Sequence, residues 1–251
     1  MHGAGLARLF SRQKAFARLG AFRTAQKLAG FWTPGAVWLS WLAMTQVKIC
    51  GLKDPDLVAF AAREGADWIG FMFPVSPRQV TLAAAETLLL SVGKAVPVAV
   101  LLDPPDEEVR AVAALGFPVL QLHGSETPER VGQIKAMTGA EVWKVLGVRS
   151  AGDLARAGDY GAADRLLLDA KPPEGDAQKG GHGAAFDWSL LKGWTAPKPW
   201  ILAGGLTPEN VADAIGQTAA PAVDVSSGVE RIRGLKDREL VRAFIRAAKG
   251  T

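Results

Sequence analysis

Val47-Lys48-Ile49-Cys50-Gly51-Leu52-Lys53-Asp54-Pro55 reads as a short buried strand, a tight turn and the start of a helix. Val47 and Ile49 are β-branched and favour a strand. Asp54 offers a capping carboxylate, and Pro55 suits the first helical position. An open sheet of the dinucleotide-binding type should carry Gly-x-Gly-x-x-Gly in this turn. Gly51-Leu52-Lys53 does not fit that pattern, so a closed barrel is the better expectation.

The same unit recurs along the chain. Further apolar runs are Trp68–Phe73, Val98–Leu102, Val119–Leu122, Val142–Val145, Leu166–Leu168, Trp200–Ala203 and Ala222–Val225. With the first run that makes eight. They are largely continuous rather than alternating, as parallel strands covered on both faces should be. Between them lie helix starts at Pro105-Asp106-Glu107-Glu108, Thr127-Pro128-Glu129 and Thr207-Pro208-Glu209. Gly65, Gly116 and Gly139 stand where helices should stop. Eight successive βα units predict a single (β/α)8 TIM barrel.

The 251 residues, 49% apolar and 22% charged, suit one such barrel. The net charge of +4 is misleading, because residues 1–43 hold six of the 29 basic residues and no Asp or Glu. The rest carries 23 basic against 25 acidic residues, which gives no electrostatic reason to expect nucleic-acid binding. We therefore divide the chain into a basic N-terminal extension, 1–43, irregular or partly helical, and a catalytic barrel, 44–251. Three readings of the extension stay open: translated upstream sequence before a start at Met44, an Arg-rich targeting presequence, or a basic arm for a membrane surface or partner. Its apolar run, Phe31–Met44, is shorter than the roughly 20 residues that span a bilayer. The single cysteine, Cys50, excludes a disulfide within the chain and fits a reducing, cytoplasmic setting.

Barrel chemistry sits at the carboxyl ends of the strands. Those ends, with their loops, carry Cys50, Arg78, Asp103, His123, Asp169, Gly204, Gly205 and the run Asp224–Gly228. Gly204-Gly205 and Ser226-Ser227-Gly228 are small turns after strands seven and eight, where backbone N–H groups can approach a phosphate. By position alone Cys50 is either a buried small hydrophobic side chain or a catalytic group. Asp169 is either a structural cap or surface ion pair, or a catalytic group. His123 either polarises a ligand oxygen or holds a loop, and Arg78 is either an anion ligand or a solvated loop residue.

Taken together, several ordered segments resemble the phosphoribosylanthranilate isomerase family of tryptophan synthesis. They are Val47–Gly51, Gly70–Phe73 with Ser76-Pro77-Arg78, Leu120–Gly124, Leu166–Asp169, Phe186-Asp187-Trp188, Leu202–Val211 and Val223–Glu230. The resemblance implies an Amadori rearrangement of an aminoaldose phosphate to its aminoketose. It implies Asp169 as general acid, Cys50 as a thiolate base of lowered pKa, and Arg78 near the anthranilate carboxylate. It places His123 and Asp224 among the substrate contacts. It calls for no metal or organic cofactor, and for a small-molecule substrate handled by a monomer or homodimer, with no nucleic acid and no membrane. One departure stands out: where the family has a Gly-Gly-Thr-Gly-Lys-like loop, this chain has Gly180-Gly181-His182-Gly183-Ala184-Ala185, with Lys179 just upstream.

Three other functions fit less well. A metal-dependent sugar-phosphate epimerase needs histidine ligands, and the chain has only His2, His123 and His182. A histidine-pathway isomerase pairs aspartates at the ends of strands one and five, where Cys50 and Gly147 stand. A non-catalytic phosphate binder would leave Cys50 and Asp169 without a task.

Overall fold

The computed structural model describes residues 44–170 and 187–250. The extension 1–43 and the loop Gly180–Ala185 therefore lie outside the described residues. Eight parallel strands close on themselves in sequence order. They are β1 Gln46–Cys50, β2 Trp68–Met72, β3 Val96–Leu101, β4 Val119–Leu122, β5 Glu141–Val148, β6 Arg165–Ala170, β7 Trp200–Leu202 and β8 Ala222–Val225. Closure is made by β1, which pairs with β2 on one side and β8 on the other.

The helices are α1 Pro55–Glu64, α2 Leu82–Leu89, α3 Asp106–Ala114, α4 Pro128–Thr138, α5 Ala151–Ala155, α6 Val211–Thr218 and α7 Arg238–Lys249. Local chemistry sets their limits. Asp54 accepts a hydrogen bond from the Asp56 N–H and Thr127 accepts one from Arg130, so both N-termini are capped by side chains. Gly65 and Gly139 take left-handed conformations after α1 and α4, as the sequence predicts.

Two expectations are corrected. Among the described residues between β6 and β7 the regular element is a 3-10 turn, Trp188–Leu191, where an α-helix is expected. The helix expected at Thr207-Pro208-Glu209 begins later, at Val211. There Asn210 accepts from the Thr207 N–H and donates to the Gly205 carbonyl, which holds residues 205–210 as a loop. A short antiparallel hairpin not foreseen from the sequence, β9 Glu230–Ile232 with β10 Leu235–Lys236, follows β8.

The strand pleat sorts side chains to two sides. Val47, Ile49, Ile69, Phe71, Leu120, Leu166 and Leu168 face the helices in the larger core. Trp68, Val98, Val119, Trp143, Val145, Leu167, Ile201 and Ala222 fill the barrel interior. At the amino-terminal end of the strands, Trp68 and Trp143 pack edge to face at 5.2 Å. The Arg165 guanidinium lies over both rings, at 5.0 and 5.4 Å, closing that end. The carboxyl ends stay lined by polar side chains.

Candidate active site

On β1 the interior positions are Lys48 and Cys50, two residues apart on one face. Cys50 is a free thiol with 5% of its surface exposed. Lys48, fully buried, reaches across to β8 and donates to Asp224 Oδ1 at 2.9 Å. Both groups flank Gly70 on β2. A Cβ there would lie 2.8 Å from Cys50 Sγ and 3.1 Å from Lys48 Nζ, so the glycine is what gives them room.

A second buried network lies beside the first. Arg78 holds Glu230 with two parallel bonds, Nε to Oε1 at 2.6 Å and Nη2 to Oε2 at 2.9 Å. Lys236 donates to the same carboxylate at 2.9 Å, and also to the Ser226 carbonyl and hydroxyl. The Ser226 hydroxyl in turn donates to the carbonyl of Cys50. Burial would raise the Glu230 carboxyl, but Arg78, Lys236 and the Gly234 N–H more than offset that and hold it at about 2. The hairpin of β9 and β10 thus locks the loop after β2 and the loop after β8 to the end of β1. Arg78 is a buried residue bound to Glu230, which excludes the solvated-loop alternative.

Across the mouth, Asp169 is the penultimate residue of β6, with its side chain 20% exposed. Its Oδ1 accepts from the Ala170 N–H, and Oδ2 lies 3.4 Å from His123 Nε2. Gln121 Nε2 is 3.4 Å from His123 Nδ1. The imidazole thus stands between the Gln121 amide and the Asp169 carboxylate. Gly147 pairs in register with Asp169, so no neighbouring side chain crowds the carboxyl from β5.

The glycine turns meet the acid and each other. Gly204 and Gly205 both have positive φ, 82° and 67°. A Cβ on Gly204 would run into the Ala170 backbone and come within 2.9 Å of Asp169 Oδ1. A Cβ on Gly228 would strike the Leu206 carbonyl. The turns after β7 and β8 therefore touch backbone to backbone, with Ser226 and Ser227 at the second turn.

Cys50, Asp169, His123, Arg78 and the glycine turns, all expected from the sequence, stand at the carboxyl ends of the strands, with partners that the sequence reading did not name. Lys48, Gln121, Glu230 and Lys236 were missed. So was Glu126, a buried carboxylate that accepts from the Asp103 and Gly124 N–H groups and from Lys144. Asp103 accepts from Ser125 and so takes part in building that loop. The expected substrate contact Asp224 has its carboxylate on Lys48, only 8% exposed. The expected lowering of the Cys50 pKa is also corrected. Burial pushes the thiol up, and Lys48 and Lys236 offset this only in part. Among the described residues no cluster of three or more His, Cys, Asp or Glu could hold a metal ion. Among the same residues no helix is long and apolar enough to cross a membrane.

Comparison with known proteins gives one answer. The family model for N-(5'-phosphoribosyl)anthranilate (PRA) isomerase matches residues 47–247. An isomerase of that name from Hyphomonas neptunium is 73% identical over 208 residues, covering 83% of this chain and 99% of the relative. The one from Paramagnetospirillum magneticum is 50% identical over 209 residues, covering 82% and 97%. The crystal structure of the Thermotoga maritima isomerase superposes with a TM-score of 0.75 at 36% identity, covering 83% of this chain and all of that one. A further PRA isomerase structure, 33% identical with a TM-score of 0.71 and covering 83% and 100%, contains reduced 1-(o-carboxyphenylamino)-1-deoxyribulose 5-phosphate. By the extent of these matches, which span the whole barrel, the chain belongs to the N-(5'-phosphoribosyl)anthranilate isomerase family.

Proposed function

We propose that the barrel converts N-(5'-phosphoribosyl)anthranilate to 1-(2-carboxyphenylamino)-1-deoxyribulose 5-phosphate, the third step from chorismate to tryptophan, with Asp169 as acid and Cys50 as base. The observation that carries the assignment of roles is the placement of one carboxyl and one thiol at the same barrel mouth, beside two glycine turns. Asp169 gives its proton to the ribose ring oxygen as the C1'–O bond breaks, and the nitrogen lone pair closes the C1'=N iminium. Cys50, as thiolate, then takes the C2' proton. The C–H electron pair moves into C1'–C2', the iminium receives the displaced pair, and an enolamine forms. Tautomerisation yields the ketone: the C2' hydroxyl gives up its proton as C2'=O forms, and the C1'–C2' double-bond pair takes a proton at C1'. The substrate's own nitrogen is the electron sink, so this reading calls on no metal or organic cofactor.

The remaining residues supply binding. Backbone groups of Gly204, Gly205, Ser227 and Gly228, with Ser226, cradle the phosphate. One edge of Arg78, Nε with Nη2, is committed to Glu230, so the anthranilate carboxylate meets the other edge, which carries Nη1. His123 keeps the Asp169 carboxyl turned toward the ring oxygen. Asp224 acts beneath the ligand through Lys48. A cytoplasmic setting and a monomer or homodimer complete the reading; one T. maritima relative is described as a dimeric isomerase.

The direct test is to add phosphoribosylanthranilate to the full chain and follow the loss of anthranilate-type fluorescence. Turnover without added metal is expected. A folded protein that leaves the substrate unchanged overturns the assignment.

The contact between the glycine turns gives a separate expectation. Gly228→Ala must push the Leu206 carbonyl away, since backbone cannot yield as a flexible side chain does. Overpacking of this kind costs about 2 kcal/mol, and the parted turns lose their common phosphate. Denaturant unfolding should show that destabilisation, and KM should rise at least about tenfold with a smaller change in kcat.

A further inference from the structure

The charged side chains gathered around Cys50 do not balance. They come from five elements: Lys48 on β1, Arg78 in the loop after β2, Asp224 on β8, Glu230 on β9 and Lys236 on β10. Among these described residues there are three cations and two anions, and all five are buried or nearly so. A buried excess of one positive charge is costly unless something nearby carries a negative one. The group at its centre able to do so is the Cys50 sulfur.

The two lysines are not equally free to serve it. Lys236 has three oxygen acceptors for its three N–H bonds: the Ser226 carbonyl, the Ser226 hydroxyl and Glu230. Among the described residues Lys48 has one oxygen acceptor, Asp224 Oδ1. Its ammonium also borders the space over Gly70 that Cys50 Sγ borders.

We propose that Lys48 is a positioning residue for the reaction: its ammonium, shared between Asp224 and the Cys50 sulfur, holds that sulfur as the thiolate that takes the C2' proton. Asp224 sets how much of the ammonium is available. When the sulfur is a thiol, Lys48 leans on Asp224. When the proton leaves, the same ammonium bridges carboxylate and thiolate. After proton transfer from C2' the thiol is restored and the bridge relaxes. Burial leaves the thiol raised overall, and the charges around it pull in opposite directions. Burial lowers the Lys48 ammonium, yet Asp224 and Cys50 together leave it raised above the ordinary lysine value. For the thiol, burial is the largest upward influence, Lys48 the largest downward one, and Asp224 works against Lys48.

The inference rests on Cys50 being the base, but it is tested without substrate. Cys50 is the only cysteine in the chain, so thiolate absorbance near ultraviolet 240 nm and the pH dependence of iodoacetamide alkylation both report on it alone. Lys48→Met by itself leaves Asp224 buried without a partner and risks misfolding. The useful pair is Asp224→Asn, which leaves Lys48 to the sulfur alone, and the double variant Lys48→Met/Asp224→Asn, which removes both charges of the pair; circular dichroism checks that each is folded. With the opposing carboxylate gone, Asp224→Asn should move the thiol midpoint down by about one pH unit. The double variant should move it up by about two units relative to Asp224→Asn, to above the wild-type midpoint. Shifts of opposite sign are not expected from a residue that only packs. Coincident midpoints in the two variants, or a double variant titrating below Asp224→Asn, overturn the proposal. Isomerase turnover by the wild-type protein is scored separately, so loss of the functional reading and loss of this one give different results.

Discussion

An Asp169→Asn variant is expected to lose about 10³-fold in kcat, within the range general acid–base catalysis contributes, with KM changed less than about threefold. The amide has the size and shape of the carboxyl group and keeps its anchor. The Ala170 N–H that binds Oδ1 can bind the amide oxygen equally well. The side chain sits at the mouth, 20% exposed, so the core does not register the change. What disappears is the transferable proton, because an amide N–H is far too weak an acid to protonate a ribose ring oxygen. Ring opening is then left to solvent. The turns of Gly204-Gly205 and Ser226–Gly228 are untouched, so phosphate binding and KM hold. Steady-state fluorescence assays separate the two parameters. If Asp169→Asn keeps more than about a tenth of wild-type kcat, the acid is another group.

The barrel is legible because each strand must be apolar on both faces, and eight such runs stand between helix signals made by single residues. Where the reading slipped, a tertiary contact overrode a local signal. Gly147 looks like the end of the fifth strand, yet β5 runs on to Val148. A glycine inside a strand marks close approach, and here it faces Asp169 in the ladder. Thr207-Pro208 looks like a helix start, yet Asn210 holds that segment as a loop.

The site divides along the same line. Cys50 and Asp169 are visible because they stand at strand ends, and strand ends can be counted in sequence. The ion pair of Lys48 with Asp224 joins residues 176 apart, and that of Arg78 with Glu230 joins residues 152 apart. Their meeting exists only once β8 closes on β1, where Lys48 and Asp224 fall in register. The period of two along Val47-Lys48-Ile49-Cys50 does place a lysine on the face of the cysteine. It becomes a signal only when that face is known to be the barrel interior. The direction of the Cys50 shift was unreadable for the same reason, since it depends on how completely the mouth is buried.

Removing the base should be as costly as removing the acid, and should leave a different residue of activity. Cys50→Ala deletes one buried sulfur atom and adds none, so the fold loses little packing, about 1 kcal/mol, and the phosphate turns remain in place. Binding of the substrate should change by less than about threefold. Asp169 still protonates the ring oxygen in this variant, so the open-chain iminium forms. It then waits for water to take the C2' proton, and kcat falls about 10³-fold. An isotope experiment distinguishes the two variants. With substrate deuterated at C2', the Cys50→Ala variant should show a full primary isotope effect on kcat, because C–H cleavage is then the slow step. The Asp169→Asn variant should show almost none, because ring opening limits it. The pH profile carries the same assignment. Burial raises the Cys50 thiol, and a base acts only when deprotonated, so wild-type kcat/KM should climb as pH rises toward the thiol midpoint. That climb should vanish in Cys50→Ala. If the variant instead keeps both the rate and the climb, the group that takes the C2' proton is not this sulfur.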